Sequence, residues 1–332
     1  MRLRRLILLT VAIAAAVALI GSATLAAPKV TLRAAHYFTG DHAWNKGLMK
    51  FAELVSQKTG GRVTVQIFEN GVLGGEADYM MNLKQGTLDF AVADPTAGSV
   101  IAKELDFFAL PFIWQNYDHW RAALDGEPGA AYAKIIEEKA EIKILSYWGG
   151  STRNLLACKK PVRSIADIKG FKLRVIASPI KMNAWAALGA IPTPIAYLET
   201  YSALQAGVAD GMENESPAVL QMRFYEPAPY ITRTEHDITV RPLMMSARVF
   251  NKLDAEAQKA IVEAASEATQ VARAAELEQG KAADTTMEQK FGVKFYTIDK
   301  APLRAATAPV LKEFAGKMGL TSLLESINRL AK

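Results

Sequence analysis

From residue 30 onward, short apolar stretches of period two alternate with longer stretches of period 3.6, which predicts strands and helices in turn. Val30 to Ala35 reads as a strand running into His36-Tyr37-Phe38-Thr39-Gly40-Asp41-His42. Leu48, Phe51, Ala52, Leu54 and Val55 then fall at helical spacing, and Thr59-Gly60-Gly61 stops that helix. Arg62 to Phe68 alternates Val63, Val65 and Ile67 as a second strand. Gly71 to Glu76 is a glycine-rich turn that opens a helix from Ala77 to Lys84; Gly86 ends it, and Leu88 to Ala93 is the next strand. This β-α-β-α-β order predicts a largely parallel sheet with helices on both faces. Open sheets of that kind take ligands at the carboxyl ends of their strands, and Tyr37, Glu76 and Asp94 fall at or just past those ends.

A second run follows, with strands at 154–157, 172–176, 191–193 and 208–212 and helices at 180–188 and 198–205. A short motif ties the two runs together. Leu83-Lys-Gln-Gly86-Thr-Leu-Asp89 and Leu204-Gln-Ala-Gly207-Val-Ala-Asp210 share the form Leu-x-x-Gly-x-x-Asp. In each, a helix ends at a glycine that tolerates the left-handed cap, a strand begins, and polar groups come next: Asp94 in one copy, Glu213 and Asn214 in the other. The match suggests two lobes of one architecture facing each other. Ile238 to Ala247 is a strand that crosses back. From Asp254 to about Lys290 the chain is rich in Ala, Glu, Lys and Gln and holds no proline. If continuous, with Asp254 as its cap, this helix is a rod of roughly 50 Å, long enough to lie along both lobes; the alternative is two helices breaking near Gly280. A last strand at 292–298 and helices from Pro302 onward close the chain.

Two arginines stand out against this pattern. Arg153, in Gly150-Ser-Thr-Arg-Asn-Leu-Leu-Ala, and Arg174, in Phe171-Lys-Leu-Arg-Val, sit on short apolar segments that read as adjacent strands with no acid inside either. A buried guanidinium needs an anion. Either acids from elsewhere in the chain fold against these arginines, or the missing anion is the ligand. Arginine suits the second case because its planar fork matches a carboxylate bidentately.

Composition changes the picture in two places. The net charge of +5 includes Arg2, Arg4 and Arg5, which precede an apolar run; without them, 36 bases face 34 acids. With no stripe of Lys and Arg interleaved with aromatics, nucleic acid is excluded as a partner. The basic start, the apolar run from Leu6 to Ile20 and the small residues Gly21 to Ala27 read as a cleaved secretory signal over residues 1–27, too short for a spanning helix. The mature protein is therefore expected in the periplasm. Cys158 is the sole cysteine, reads as a small core residue, and has no internal partner for a disulfide.

The blocks Gly150–Asn154, Pro161–Val175, Ala187–Glu199 and Ala203–Asn214, with Leu73-Gly-Gly-Glu76, Gly86-Thr-Leu-Asp89 and Leu110-Pro-Phe-Ile, resemble the solute-binding subunit of TRAP (tripartite ATP-independent periplasmic) transporters, the DctP-like family. The likeness covers nearly all of the mature chain. It implies an α/β, two-lobed periplasmic-binding-protein (Venus flytrap) fold with a long helix bracing both lobes, lobe I being 28–150 with about 240–278 and lobe II 151–239 with about 279–332. It implies a protein that delivers a small organic acid to a membrane permease; independently of the likeness, a monomer is the default expectation. By motif position, Arg174 is the arginine that pairs the ligand carboxylate and Arg153 a second basic pocket position. Tyr197 stands where the family usually has Phe, stacked over the ligand, and Asn214 is a polar contact near the hinge. Asp94 replaces what is often Glu, Tyr37 stands where a polar residue occurs, and Glu76 is a further candidate from the first lobe.

Other classes are weaker. His36, His42, His119 and His236 show no metal-ligand spacing, and there is no Gly-x-Ser-x-Gly elbow and no phosphate loop. Glu213 and Glu215, straddling Asn214, read as solvated acids on a loop. A metal-assisted hydrolase is thus disfavoured and no cofactor is expected. A ligand sensor for a membrane receptor would share the same pocket and differ only in its membrane partner.

Overall fold

The computed structural model describes residues 29–331; the leader region read from the sequence lies outside them. The first run forms as its periodicity predicts: β1 (Val30–Ala35), α1 (Ala43–Lys58), β2 (Val63–Phe68), α2 (Glu76–Gln85) and β3 (Phe90–Val92). β1 pairs in parallel with β2 on one side and β3 on the other. Two 3-10 turns (Pro95–Gly98, Lys103–Ala109) and the helices α3 (Tyr117–Leu124) and α4 (Glu127–Ala140) lead to β4 (Ile142–Ala157). The second run is β5 (Lys172–Val175), α5 (Pro179–Ala187), β6 (Ile191–Pro194), α6 (Thr200–Gln205), β7 (Gly211–Glu215) and α7 (Ser216–Gln221). β8 (Tyr230–Ser246), α8 (Ala247–Phe250), α9 (Ala255–Phe291), β9 (Lys294–Thr297), α10 (Ala301–Met318) and α11 (Thr321–Asn328) complete the described chain.

All strands join one sheet in the order β2-β1-β3-β8-β4-β7-β5-β6, with β9 against β8. The sheet is mixed rather than largely parallel, because β4 and β8 are long antiparallel partners, paired from Ile142↔Ser246 to Ala157↔Tyr230. One end of this pair carries β3, at Phe90↔Met245, and the other carries β7, at Arg153↔Glu215. β4 and β8 therefore run through both halves of the molecule. Their register shifts between Gly149 and Thr152. There Gly149 has φ +98°, and a Cβ at this position would lie 2.4 Å from the Thr239 carbonyl oxygen, so only glycine fits the crossing.

The strands of Arg153 and Arg174 are not neighbours: β7 lies between β4 and β5. The predicted strand at 208–212 begins instead at Gly211, because Gly207 (φ +71°) and the residues after it finish the turn. The helix of Asp254 runs unbroken from Ala255 to Phe291, through Gly280, and its cap is the expected one, with Asp254 accepting the Ala257 amide at 2.8 Å. This α9 packs on α1 from the first half, on β4, and on α7 from the second half. The repeated motif has one structural job in both copies: Asp89 accepts the backbone N–H of Arg33 at the parallel strand β1 (2.6 Å), and Asp210 accepts that of Lys172 at β5 (3.0 Å). Along β4, Leu155 and Ala157 join a core with Leu173, Trp185 and Leu303, whereas Leu156 joins Met212, Phe224 and Met287. That alternation buries both faces of the sheet here.

Candidate functional site

A cleft of about 460 Å³ opens between the two runs. Tyr37, Glu76 and Asp78 line it from the first, and Ile195, Tyr197 and Glu199 from the second. Tyr37 and Tyr197 meet across it with ring centroids 4.9 Å apart. Tyr197 also receives a hydrogen bond on its hydroxyl from Asn214 Nδ2 at 3.1 Å. Burial raises the Tyr197 hydroxyl well above its usual range, so it stays a neutral phenol.

Arg174 sits one layer behind that wall, only 2% exposed. β5 places it there because Leu173 and Val175 turn into the core on the opposite face. Its Nε and Nη2 donate to the Ile195 carbonyl at 3.0 and 2.8 Å, and its guanidinium carbon lies 5.5 Å from the Tyr197 ring centroid. No acidic side chain among the described residues forms an ion pair with it. Burial lowers its pKa, with Glu213, Tyr197 and Glu76 opposing from farther away. A buried cation without a counter-ion is expensive, and an anion arriving at Arg174 removes that cost. Arg174 does not itself line the cleft; Ile195 and Tyr197, which it contacts, do.

Arg153 has a different environment. Because β7 is its immediate neighbour, Glu213 and Glu215 point at it from alternate positions of that strand. Arg153 Nε donates to Glu213, Nη1 to Glu215, and Nη2 to the Glu213 carbonyl at 2.9 Å. Burial works against the guanidinium charge, but these two acids outweigh it and raise its pKa. Glu213 and Glu215 are thus buried ion-pair partners, 1% and 2% exposed, and not the solvated loop acids their sequence suggested. Burial opposes the Glu213 charge as well; Arg153 and Lys181 override it and hold the carboxyl well below its usual range.

The network continues from the second run to Asp94 of the first. Asp94 Oδ2 lies 3.1 Å from Arg241 Nη1 and 3.6 Å from Lys181 Nζ, and Lys181 Nζ lies 3.7 Å from Glu213. Arg241 also reaches Glu215 at 3.3 Å. Burial would raise the Asp94 carboxyl; Arg241, Lys181 and Arg153 outweigh it and hold it below the carboxylate range. Glu76, at the first residue of α2, accepts the Tyr37 hydroxyl and the Asp94 amide on Oε1, both at 2.9 Å. Burial and the Asp94 charge raise its carboxyl, against Arg241. Tyr37, Glu76 and Tyr197 therefore gather at the cleft, with Asn214 on the Tyr197 hydroxyl and Arg174 behind, while Arg153 and Asp94 are tied into the ion-pair network.

Arg241 and Lys181 were not legible as site residues, although Arg241 carries the same mark as Arg174, an arginine inside an apolar strand. Among the described residues no group of three or more His, Cys, Asp or Glu is arranged to hold a metal.

A family model for DctP, bacterial extracellular solute-binding protein family 7, matches residues 34–317. The chain belongs to the DctP family. Among similar proteins is a solute-binding protein of Sulfitobacter sp. (strain NAS-14.1), 40% identical over 318 residues and covering 95% of each chain. The fold agrees. A TRAP periplasmic solute binding protein from Sulfitobacter sp. NAS-14.1 with bound α-D-taluronate matches at TM-score 0.87 and 38% identity, covering 90% of this chain and 97% of that one. One from Roseobacter denitrificans with bound β-D-glucuronate matches at TM-score 0.86 and 31% identity, covering 90% and 99%. This DctP-family chain is a TRAP-type solute-binding protein with the two-lobed binding-protein fold, and its family serves transport by binding substrate. No helix among the described residues is long and apolar enough to cross a membrane.

Proposed function

We propose that this protein captures a hexuronate-class sugar acid, with Arg174 receiving the carboxylate, and hands it to the permease of a TRAP transporter. The observation that carries this reading is the buried guanidinium of Arg174, without an ion-pair partner among the described residues, behind a largely apolar cleft that also presents Tyr37, Tyr197, Glu76, Asp78 and Glu199. The uronates held by similar TRAP proteins point to the same ligand chemistry. Tyr197 covers the ligand and Asn214 fixes the Tyr197 hydroxyl. Tyr37 and Glu76 face the ligand from the other lobe. Arg153 and Asp94 act through the ion-pair network that holds the two lobes in register. The lobes comprise 28–150 with about 240–278 and 151–239 with about 279–332, and the protein works as a monomer in the periplasm after losing residues 1–27. A thermal-shift screen of the mature protein against D-galacturonate, D-glucuronate and the matching uronamides tests it. At a hundred times its dissociation constant a ligand stabilises the bound form by about 2.7 kcal/mol. The acids should raise Tm and the amides should not; equal shifts from acid and amide would refute the carboxylate assignment.

A further inference from the structure

The cleft is electrically lopsided. Among the described residues, the cation beside it that has no ion-pair partner is Arg174, behind the second-lobe wall. Three carboxylates line the cleft itself, Glu76 at depth and Asp78 and Glu199 at the mouth, and no Lys, Arg or His among the described residues lines it. Glu76 is 7% exposed. Its Oε1 is committed to the Tyr37 hydroxyl and the Asp94 amide, while its Oε2 has no partner among the described residues. The two bonds on Oε1 fix the carboxyl plane, so Oε2 is held as an acceptor toward whatever fills the cleft.

One free guanidinium accommodates one carboxylate. The rest of a bound sugar acid meets Glu76, and hydroxyl groups there donate to Oε2. A second carboxylate in that place would be desolvated against a like charge with no base to receive it. Selectivity of this kind comes from a penalty on the wrong ligand as much as from contacts to the right one. We propose that Glu76 is a specificity-determining residue that makes the cleft select monocarboxylic sugar acids and reject the corresponding dicarboxylic acids. Asp78 and Glu199 add to the effect at the mouth. The inference rests on the reading of Arg174 as the carboxylate anchor.

The test compares linear acids that differ at one end only: D-galactonate, with a terminal hydroxymethyl, against galactarate, with a terminal carboxylate, alongside D-galacturonate. Titration calorimetry at pH 7.5 on the native protein should show galactarate binding about a hundredfold more weakly than galactonate, the scale of two like charges a few ångströms apart in a partly screened cleft. Glu76→Gln keeps an acceptor for Tyr37 and the Asp94 amide and removes the charge. It should raise the ratio of galactarate to galactonate affinity at least tenfold, whatever hydroxyl contact to Oε2 both ligands lose in common. If Glu76→Gln does not fold, Asp78→Asn/Glu199→Gln, altering two exposed rim acids, should still favour galactarate about threefold relative to galactonate. Equal native affinity for galactarate and galactonate, or a galactarate-to-galactonate ratio that folded Glu76→Gln leaves unmoved, overturns the proposal, as does an unmoved ratio in the rim variant where Glu76→Gln does not fold. If the native protein binds no galacturonate at all, the functional reading itself fails, and this inference with it.

Discussion

Arg153 and Arg174 look alike in the sequence, and truncating each should have opposite consequences. Arg153→Ala strands Glu213 and Glu215, both almost fully buried and both paired with that guanidinium. Breaking a buried pair by removing one partner typically costs about 3–5 kcal/mol, and Arg241 and Lys181 can make up only part of this, since each already serves Asp94. Arg174→Ala strands no acid. It removes an uncompensated buried cation, which is favourable, and leaves the Ile195 carbonyl without its two donors, which costs about 1–3 kcal/mol. The two terms largely cancel, so the ligand-free Arg174→Ala protein should unfold within about 1–2 kcal/mol of native. Binding is where it should fail: losing the charged partner of a desolvated carboxylate costs about 2–5 kcal/mol, or roughly thirty- to several-thousandfold in affinity. Arg174→Lys keeps the charge without the fork and should rescue only part of that loss. Urea unfolding gives the stabilities, and calorimetric titration with galacturonate gives the affinities. If Arg174→Ala were as unstable as Arg153→Ala, or bound galacturonate normally, the assignment of Arg174 as anchor would be wrong.

Glu276 on α9 is 1% exposed with Oε2 unpartnered, and burial, then the Glu215 charge, push its carboxyl up to about 7. An acid with a raised folded pKa destabilises once ionised, so its cost is absent below about pH 4.5 and grows as pH rises toward 7; Glu276→Gln should raise stability by about 2 kcal/mol at pH 8 and change it little at pH 4, and a uniform effect across pH would contradict this. N-terminal sequencing of the protein recovered from the cell envelope should begin between Thr24 and Pro28, and a chain retaining Met1 would refute the leader. Because a ligand touching both lobes favours their closed arrangement, small-angle scattering should show a larger radius of gyration without galacturonate than with it; an unchanged envelope at saturation would count against hinged closure. Tyr197→Ala should alter the ranking among uronates while acid remains preferred over amide, and loss of that preference would mean Tyr197 holds the carboxylate itself.

Local signals carried most of the elements. The period-two strands and glycine stops of residues 30–93 were legible, as was the long helix, because its cap, composition and lack of proline agree over its whole length. β4 was recognised only in its last residues, since Gly149 and Gly150 interrupt what is one strand paired along its length with β8. The burial of Arg174 was legible because its strand neighbours are apolar. The environment of Arg153 was not, because its acids arrive from a strand about 60 residues later in the chain. Alternating acids beside an asparagine carry a solvated look that only the pairing of β7 with β4 overturns. Arg241 offered the same signal as Arg174 in Thr-Val-Arg-Pro-Leu-Met-Met; its partners Asp94 and Glu215 come from opposite halves of the molecule and appear only once the sheet is closed.

The placement of β3 sets an order of assembly. It pairs with β1 on one side, but its other neighbour is the far end of β8, at Leu243 to Met245. In any emergence of the chain N-terminus first, from a ribosome or through a membrane channel, the apolar Phe90-Ala-Val92 edge has no backbone partner until some 150 further residues have followed. An open apolar edge is a template for pairing with other chains, and waiting on so distant a segment is slow. The nascent protein thus has a defined vulnerable interval, from the appearance of β3 to the arrival of β8, when a holding chaperone has most to protect, and a chain cut short anywhere in that interval leaves its first lobe with an unsealed seam.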